Sequence, residues 1–341
     1  MTSQKTKSLI IAELSGNHQQ DISIAKQLIT AAADAGADAI KLQTYTADSM
    51  TLDCDGEDFM VNEPGSLWLN QSLYSLYQKA STPYEWHDEL FKYARSLGIM
   101  AFSSPFDLAA VDFLDSLDVP CFKIASFEIT DIPLIRHAAS KGKPLIISTG
   151  MATIEEIQLA INTAQEAGCE DITLLKCTST YPASPSNSHL NTIPDMQQRF
   201  GLPVGLSDHS LGIGVAVASI ALGATMIEKH LVLERDSAAV DAGFSMTPDE
   251  LALLVKEVRT AEKAMGEVTY GGSNDEQASK KYRRSIYACR DIAEGEQLTA
   301  DNVRIIRPSF GLPPAVWDRV IGCKAKQFIR KGTALSWDLV G

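Results

Sequence analysis

The stretch LIIAELSGNHQQDISIAKQLITAAADAGADAIKLQ, residues 9–43, sets the reading of the fold. A short apolar run, Leu9 to Glu13, leads into a longer helical pattern and then a second run, Ala39 to Gln43. Strand, helix and strand in that order make a βαβ unit with parallel strands. The alternation continues to about residue 265, with further strand candidates at Ile99 to Ser103, Cys121 to Ala125, Pro144 to Ser148, Ile172 to Cys177, Pro203 to Ser207 and Thr225 to Leu231. Helix starts are signalled at Thr82-Pro83-Tyr84-Glu85 and Thr247-Pro248-Asp249-Glu250, each with an N-cap, a proline at the first helical position and a capping-box Glu; Thr153 with Glu156 makes a third box. Eight parallel strands either close into a barrel or form an open doubly wound sheet. No Gly-x-Gly-x-x-Gly turn follows the first strand, so the open dinucleotide-binding sheet lacks its phosphate loop. The expectation is an α/β fold, a (β/α)8 TIM barrel over residues 1–265.

Every candidate strand carries polar residues at its C-terminal end, where barrel active sites are built. In order they are Glu13; Lys41 and Gln43; Ser103 and Ser104; Lys123, Ser126 and Glu128; Ser148 and Thr149; Lys176 and Thr178; Ser207, Asp208 and His209; Glu228 and His230. Eight polar ends in register imply a shared polar cavity. The segment Thr44 to Thr82 is too long for a plain βα connection, and short helices or a hairpin are expected there beside the site. Residues 266–284, polar and rich in Gly, read as a linker, and 285–341 as a small β-rich domain. So short a module makes a marginal core and is expected to lean on something else.

Composition narrows the function. Thirty Lys and Arg against 43 Asp and Glu leave a net charge of −13, which argues against nucleic acid or an anionic membrane surface as partner. An anionic substrate must therefore find a local basic pocket. No run of 18 apolar residues and no signal-peptide pattern occurs, and the six cysteines show no C-x-x-C, so a cytoplasmic protein with reduced thiols is expected.

His209 and His230 end the seventh and eighth strands, which are neighbours in a barrel, so their imidazoles can converge on one ion. Two histidine ligands leave positions open for water and a substrate oxygen, which suits a divalent Lewis acid such as Mn2+ or Mg2+; the competing reading is that they only form hydrogen bonds. Lys41, Lys123 and Lys176, with Gln43, Thr178, Ser126 and Ser148-Thr149-Gly150, read as a cradle for a phosphate with an adjacent carboxylate, or else as lysines paired with Glu13, Glu128 or Glu228. Glu13 and Glu128 are candidates for proton transfer.

The motifs Ala12-Glu13-Leu14-Ser15-Gly16-Asn17-His18, Lys41-Leu42-Gln43-Thr44-Tyr45, Lys123-Ile124-Ala125-Ser126-Phe127-Glu128, Ser148-Thr149-Gly150-Met151, Cys177-Thr178-Ser179-Thr180-Tyr181-Pro182, Gly205-Leu206-Ser207-Asp208-His209 and Glu228-Lys229-His230 together resemble the sialic acid synthase family, almost end to end. That resemblance implies a barrel that condenses phosphoenolpyruvate with an amino-sugar aldehyde, and a C-terminal antifreeze-like (SAF) domain, 285–341, covering the site of the partner subunit in a domain-swapped homodimer. By position it implies His209 and His230 as metal ligands. It places Lys41, Lys123, Ser126, Ser148, Ser179 and Ser207 around phosphoenolpyruvate, and Glu13, Gln43, Glu128, Tyr181 and Asp241 near the sugar or the reacting centre. Arg307 matches the small-domain arginine that reaches the sugar's N-acyl group. Leu14-Ser15-Gly16, Ser179 in place of Asn and Ser309 in place of Gly resemble the branch that makes pseudaminic acid from a 6-deoxy 2,4-diacetamido hexose. Related nine-carbon acids are the alternative products. A Schiff-base aldolase using Lys41, Lys123 or Lys176 and a non-enzymatic sugar-binding protein are the alternatives of other classes.

Overall fold

The computed structural model describes residues 7–62 and 65–341, and the chain divides into two compact units, 1–266 and 267–341. In the first unit eight parallel strands close into a barrel in sequential order: β1 (Leu9–Glu13), β2 (Ala39–Thr44), β3 (Met100–Pro105), β4 (Phe122–Ile124), β5 (Leu145–Ser148), β6 (Ile172–Cys177), β7 (Val204–Ser207) and β8 (Met226–His230). Closure is made by β1 against β8, with Glu13 beside His230 on one side and beside Lys41 of β2 on the other. This is the (β/α)8 barrel that the alternation predicts. Helices between the strands include α1 (Ile22–Asp34), α2 (Ala47–Met50), α3 (Leu73–Ala80), α4 (His87–Ser96), α5 (Leu108–Ser116), α6 (Ile132–Ala139), α7 (Ile154–Glu166), α8 (Thr192–Phe200), α9 (Gly214–Ala221) and α10 (Pro248–Met265). Asp21 caps α1 by accepting from Ser23 N at 2.7 Å, and the expected box at α7 is present, with Glu156 accepting from Thr153 N at 2.7 Å. At Thr82 the expected cap is absent. Its hydroxyl contacts His18 Nε2 at 3.1 Å instead, and a short 3-10 turn, Tyr84–Trp86, precedes α4.

Strand alternation divides the side chains into two sets. Ile10, Ile40, Leu42, Phe122, Leu174 and Leu206 point outward and bury against the helices in the main core. Ile11, Ala39, Phe102, Cys121, Ile146 and Leu175 point inward, where with Leu9 and Met226 they make an apolar floor. Two residues further along, the inward set is polar on seven strands, Glu13, Lys41, Ser104, Lys123, Ser148, Ser207 and Glu228, with the thiol of Cys177 on β6. Lys176 follows Leu174, not Leu175, so it lies on the outward face. Its Nζ donates to Cys177 O at 2.7 Å and Thr178 Oγ1 at 3.3 Å beneath the following loop, which removes it from the expected cradle and from the candidate nucleophiles.

The segment between β2 and α4 holds α2, a 3-10 turn at Glu57–Phe59 and α3. In the second unit, the stretch read as a linker carries α11 (Asn274–Gln277) and a 3-10 turn, Ala278–Tyr282. Beyond it, β9 (Ser285–Ala288) pairs antiparallel with β10 (Val303–Ile306) over a core of Ile286, Ile292, Leu298, Val303, Val320 and Leu335.

Gly205 shows how closely the floor is packed: a Cβ there would lie 2.5 Å from both Met226 Cγ and Met226 O. Because backbone is among the obstructing atoms, Gly205→Ala is expected to destabilise the protein by about 1–3 kcal/mol. Calorimetry should show a melting temperature lower by several degrees, and an unchanged one would refute this packing.

Candidate active site

The polar ring above the floor is organised by charge. Lys41 Nζ forms ion pairs with Glu13 and, at 3.7 Å, with Glu228, and donates to Ser104 Oγ at 3.1 Å. Lys123 Nζ lies 3.3 Å from Glu228 Oε1, which also accepts from Ser207 Oγ at 3.1 Å. Both lysines are only 2–3% exposed, and these carboxylates offset the cost of burying their charges. Burial alone would push the Glu228 carboxyl up, but Lys123 and Lys41 outweigh it and hold the group down at about 2. Glu13 is moved the other way, since burial and the Glu228 charge outweigh what Lys41 returns.

On the β4 to β6 side the donors are hydroxyls. Ser126 Oγ lies 2.8 Å from Ser179 Oγ, and Ser148 Oγ is buried with no hydrogen-bond partner among the described residues. Gly150 makes this convergence possible, because it holds φ +46° and a Cβ there would sit 2.6 Å from Ser126 Cβ and 2.8 Å from Ser179 Oγ. Glu128 follows β4. Its Oε2 is also buried without a partner among the described residues, and burial raises the carboxyl to about 7.

His209 and His230 do converge, with ring centroids 5.3 Å apart. His209 Nδ1 donates to Thr178 O at 2.9 Å, which fixes the tautomer and leaves Nε2 with a free lone pair. His230 Nδ1 lies 3.2 Å from Ser15 Oγ and 3.7 Å from Asp241 Oδ2. Each ring thus has its Nδ1 oriented by an oxygen and, among the described residues, no hydrogen-bond partner at Nε2, an arrangement common in metal-binding imidazoles. Among the described residues no third His, Cys, Asp or Glu completes a ligand set with them. These two imidazoles are the donors that would hold a divalent ion here, which would leave its other positions to water or substrate.

Asp241 is placed by Asn17, whose Oδ1 accepts from Asp241 N at 3.1 Å while its Nδ2 donates to Leu231 O at 2.8 Å. Gln43 is half-buried at the end of β2 on the inward face. The Tyr181 ring packs tilted at 48° against His209, with ring centroids 4.5 Å apart. All the candidate residues except Arg307 belong to the barrel unit. Arg307 follows β10 in the second unit and is exposed; its segment is anchored by Ser309 N donating to Lys281 O at 3.0 Å and by Ser285 Oγ donating to Pro308 O at 2.7 Å.

Three neighbours of the site went unread in the sequence. Cys177 lies 4.0 Å from His209 Nδ1, Phe244 is 4.8 Å from His230 between ring centroids, and Trp68 is 6.1 Å from Tyr181. Cys177 is placed by the register of β6 in the closed sheet, and the two aromatic residues carry no local signal.

The NeuB family model matches residues 28–270, and the SAF domain model residues 283–341. This chain belongs to the NeuB family. It is 44% identical over 329 residues to the pseudaminic acid synthase of Campylobacter jejuni, covering 96% of this chain and 95% of that one. It is 36% identical to the N,N'-diacetyllegionaminic acid synthase of Legionella pneumophila, over 96% and 93% of the two chains. Among solved structures, the N-acetylneuraminic acid synthetase of Leptospira borgpetersenii in complex with citrate superposes with a TM-score of 0.71 at 29% identity, covering 82% of this chain and 94% of that one.

Glu228→Gln would leave Lys123 a buried cation without a carboxylate. A loss of about 3–5 kcal/mol is expected, read as a lower denaturant midpoint at pH 7. Because the folded-state value is depressed, the contribution is complete above the ordinary 4.5 and is lost as pH falls through about 2. An unchanged midpoint at pH 7 would contradict the charge arrangement.

Proposed function

We propose that this enzyme condenses phosphoenolpyruvate with the open-chain aldehyde of 2,4-diacetamido-2,4,6-trideoxy-beta-L-altrose and water to give pseudaminic acid and phosphate. The observation that carries this reading is the 44% identity to a pseudaminic acid synthase across 96% of the chain, against 36% to a legionaminic acid synthase. The methylene carbon of phosphoenolpyruvate bonds to the aldehyde carbon, and the cationic carbon so formed takes up water. The bond from that carbon to the bridging oxygen then breaks, and phosphate leaves. Of the two protons from water, one ends on the former aldehyde oxygen and the other goes out with phosphate.

In this reading Lys41 and Lys123 face the phosphate and carboxylate, with the hydroxyls of Ser126, Ser148, Ser179 and Ser207 as further donors. Gln43, Tyr181 and Asp241 position the sugar, and Glu13 orients Lys41 at the reacting centre. Glu128, raised to about 7 by burial, takes and returns the proton of the attacking water. His209 and His230 would hold Mn2+ or Mg2+ through Nε2. Such an ion would polarise the aldehyde oxygen as a Lewis acid. The reading extends to a cytoplasmic, domain-swapped homodimer in which Arg307 reaches an acetamido oxygen of the sugar bound to the partner subunit.

Phosphate release and product mass across a panel of diacetamido sugars and N-acetylmannosamine test the reaction, with the deoxy altrose sugar expected to be used best. Phosphoenolpyruvate carrying 18O at the bridging position should deliver the label to phosphate; label kept in the sugar acid would refute the carbon–oxygen cleavage. Because Glu128 must be ionised to accept a proton, kcat/KM should fall as pH drops below about 7. Glu128→Gln should cut the rate by about 10²–10⁴ and abolish that limb, and a variant that kept it would remove Glu128 from the mechanism. Mixing inactive Arg307→Ala and His209→Ala subunits should restore activity, since a mixed dimer then has one site free of both defects. Confirmed mixed dimers without activity would rule out the swapped arrangement.

A further inference from the structure

Trp68 and Leu67, which continue a run of rings at the barrel mouth, are left unused by the chemistry above. Trp68 lies on the segment between β2 and α4, and its indole N–H donates to Val240 O at 3.0 Å. Its ring centroid is 6.1 Å from that of Tyr181, which in turn is 4.5 Å from His209 and 5.1 Å from Phe244. Leu67 beside it approaches the loop after β8, since a Cβ at Gly243 would lie 3.3 Å from Leu67 Cδ1. A segment that starts from β2 is thereby fastened to the loops after β6 and β8. Its charge suggests which substrate it meets. From Thr44 to Gln78 there are six Asp and Glu and no Lys or Arg, so its field repels phosphoenolpyruvate and favours a neutral partner.

We infer that Trp68 and Leu67 are specificity-determining residues that receive the deoxygenated end of the sugar, its C6 methyl group, and disfavour a C6 hydroxyl. The inference rests on the reaction proposed above. With the aldehyde beside the two histidines, the six-carbon chain extends outward along the rings of His209, Tyr181 and Trp68. At the outer end a methyl group meets indole and leucine. A hydroxyl covered by these two side chains would gain no hydrogen bond from either, because the single donor of Trp68 is already given to Val240 O and Leu67 offers none. Leu67 is 47% exposed, so its side chain is free to cover a ligand.

The test compares kcat/KM for the 6-deoxy sugar and for the same diacetamido sugar with a hydroxyl at C6. The wild type should prefer the deoxy sugar by about 10–200-fold, the range one small apolar group confers. Trp68→Ala should reduce that ratio about tenfold and leave the KM for phosphoenolpyruvate unchanged. Trp68→Phe, which keeps an aromatic face, should retain most of the preference, and Leu67→Asn, which supplies a polar partner, should raise use of the hydroxylated sugar; both keep the test available if the alanine variant folds poorly. An unchanged ratio in Trp68→Ala and in Leu67→Asn, or an equal loss with both sugars, would overturn the inference. A wild type that uses neither sugar would overturn the proposed reaction and this inference with it, and that outcome is read before any variant is made.

Discussion

Glu228 sits between two lysines that the barrel has removed from water, 3.3 Å from Lys123 and 3.7 Å from Lys41, and the candidate site depends on that placement. A net charge of −13 makes the molecule as a whole repel an anionic substrate. The barrel can nevertheless present two cations at its centre because Glu228 and Glu13 offset the cost of burying them. Ser104 and Ser207 supply additional hydrogen bonds within the same cluster. An arriving phosphate or carboxylate then meets lysines that are already desolvated and held in place.

The same alternation along each strand produces the support beneath. Inward residues at one level are apolar and form a packed floor; two residues on, they are polar on seven of the strands, with Cys177 on β6. One set of strand registers thus fixes stability below and chemistry above. Around the rim, loop contacts set the remaining groups: Thr178 O orients His209, Ser15 meets His230, and Asn17 ties the first loop to the last.

Much of this was legible in the sequence. The eight strands follow from the alternation of apolar runs with helical patterns, and the polar strand ends locate the mouth. Lys176 was misplaced for a physical reason. Barrel strands are buried on both faces, so Leu174 and Leu175 look alike in sequence although one faces the helices and the other the interior. Only the register of the closed sheet tells them apart. Thr82 carried a convincing helix-cap pattern, yet its hydroxyl meets buried His18 from 64 residues away. Trp68 and Phe244 reach the site by contacts that span long stretches of chain, and local periodicity does not encode those.

The central claim is that Glu228 neutralises lysines whose purpose is to bind an anion. Isothermal titration of phosphoenolpyruvate into the wild type and Glu228→Gln, at low and moderate salt, tests it most directly. The account predicts that the variant, although less stable, binds phosphoenolpyruvate more tightly, with the gain shrinking as salt rises, because Lys123 and Lys41 no longer share their charge with Glu228. Affinity that is unchanged or weaker at both salt concentrations in a folded variant would contradict it.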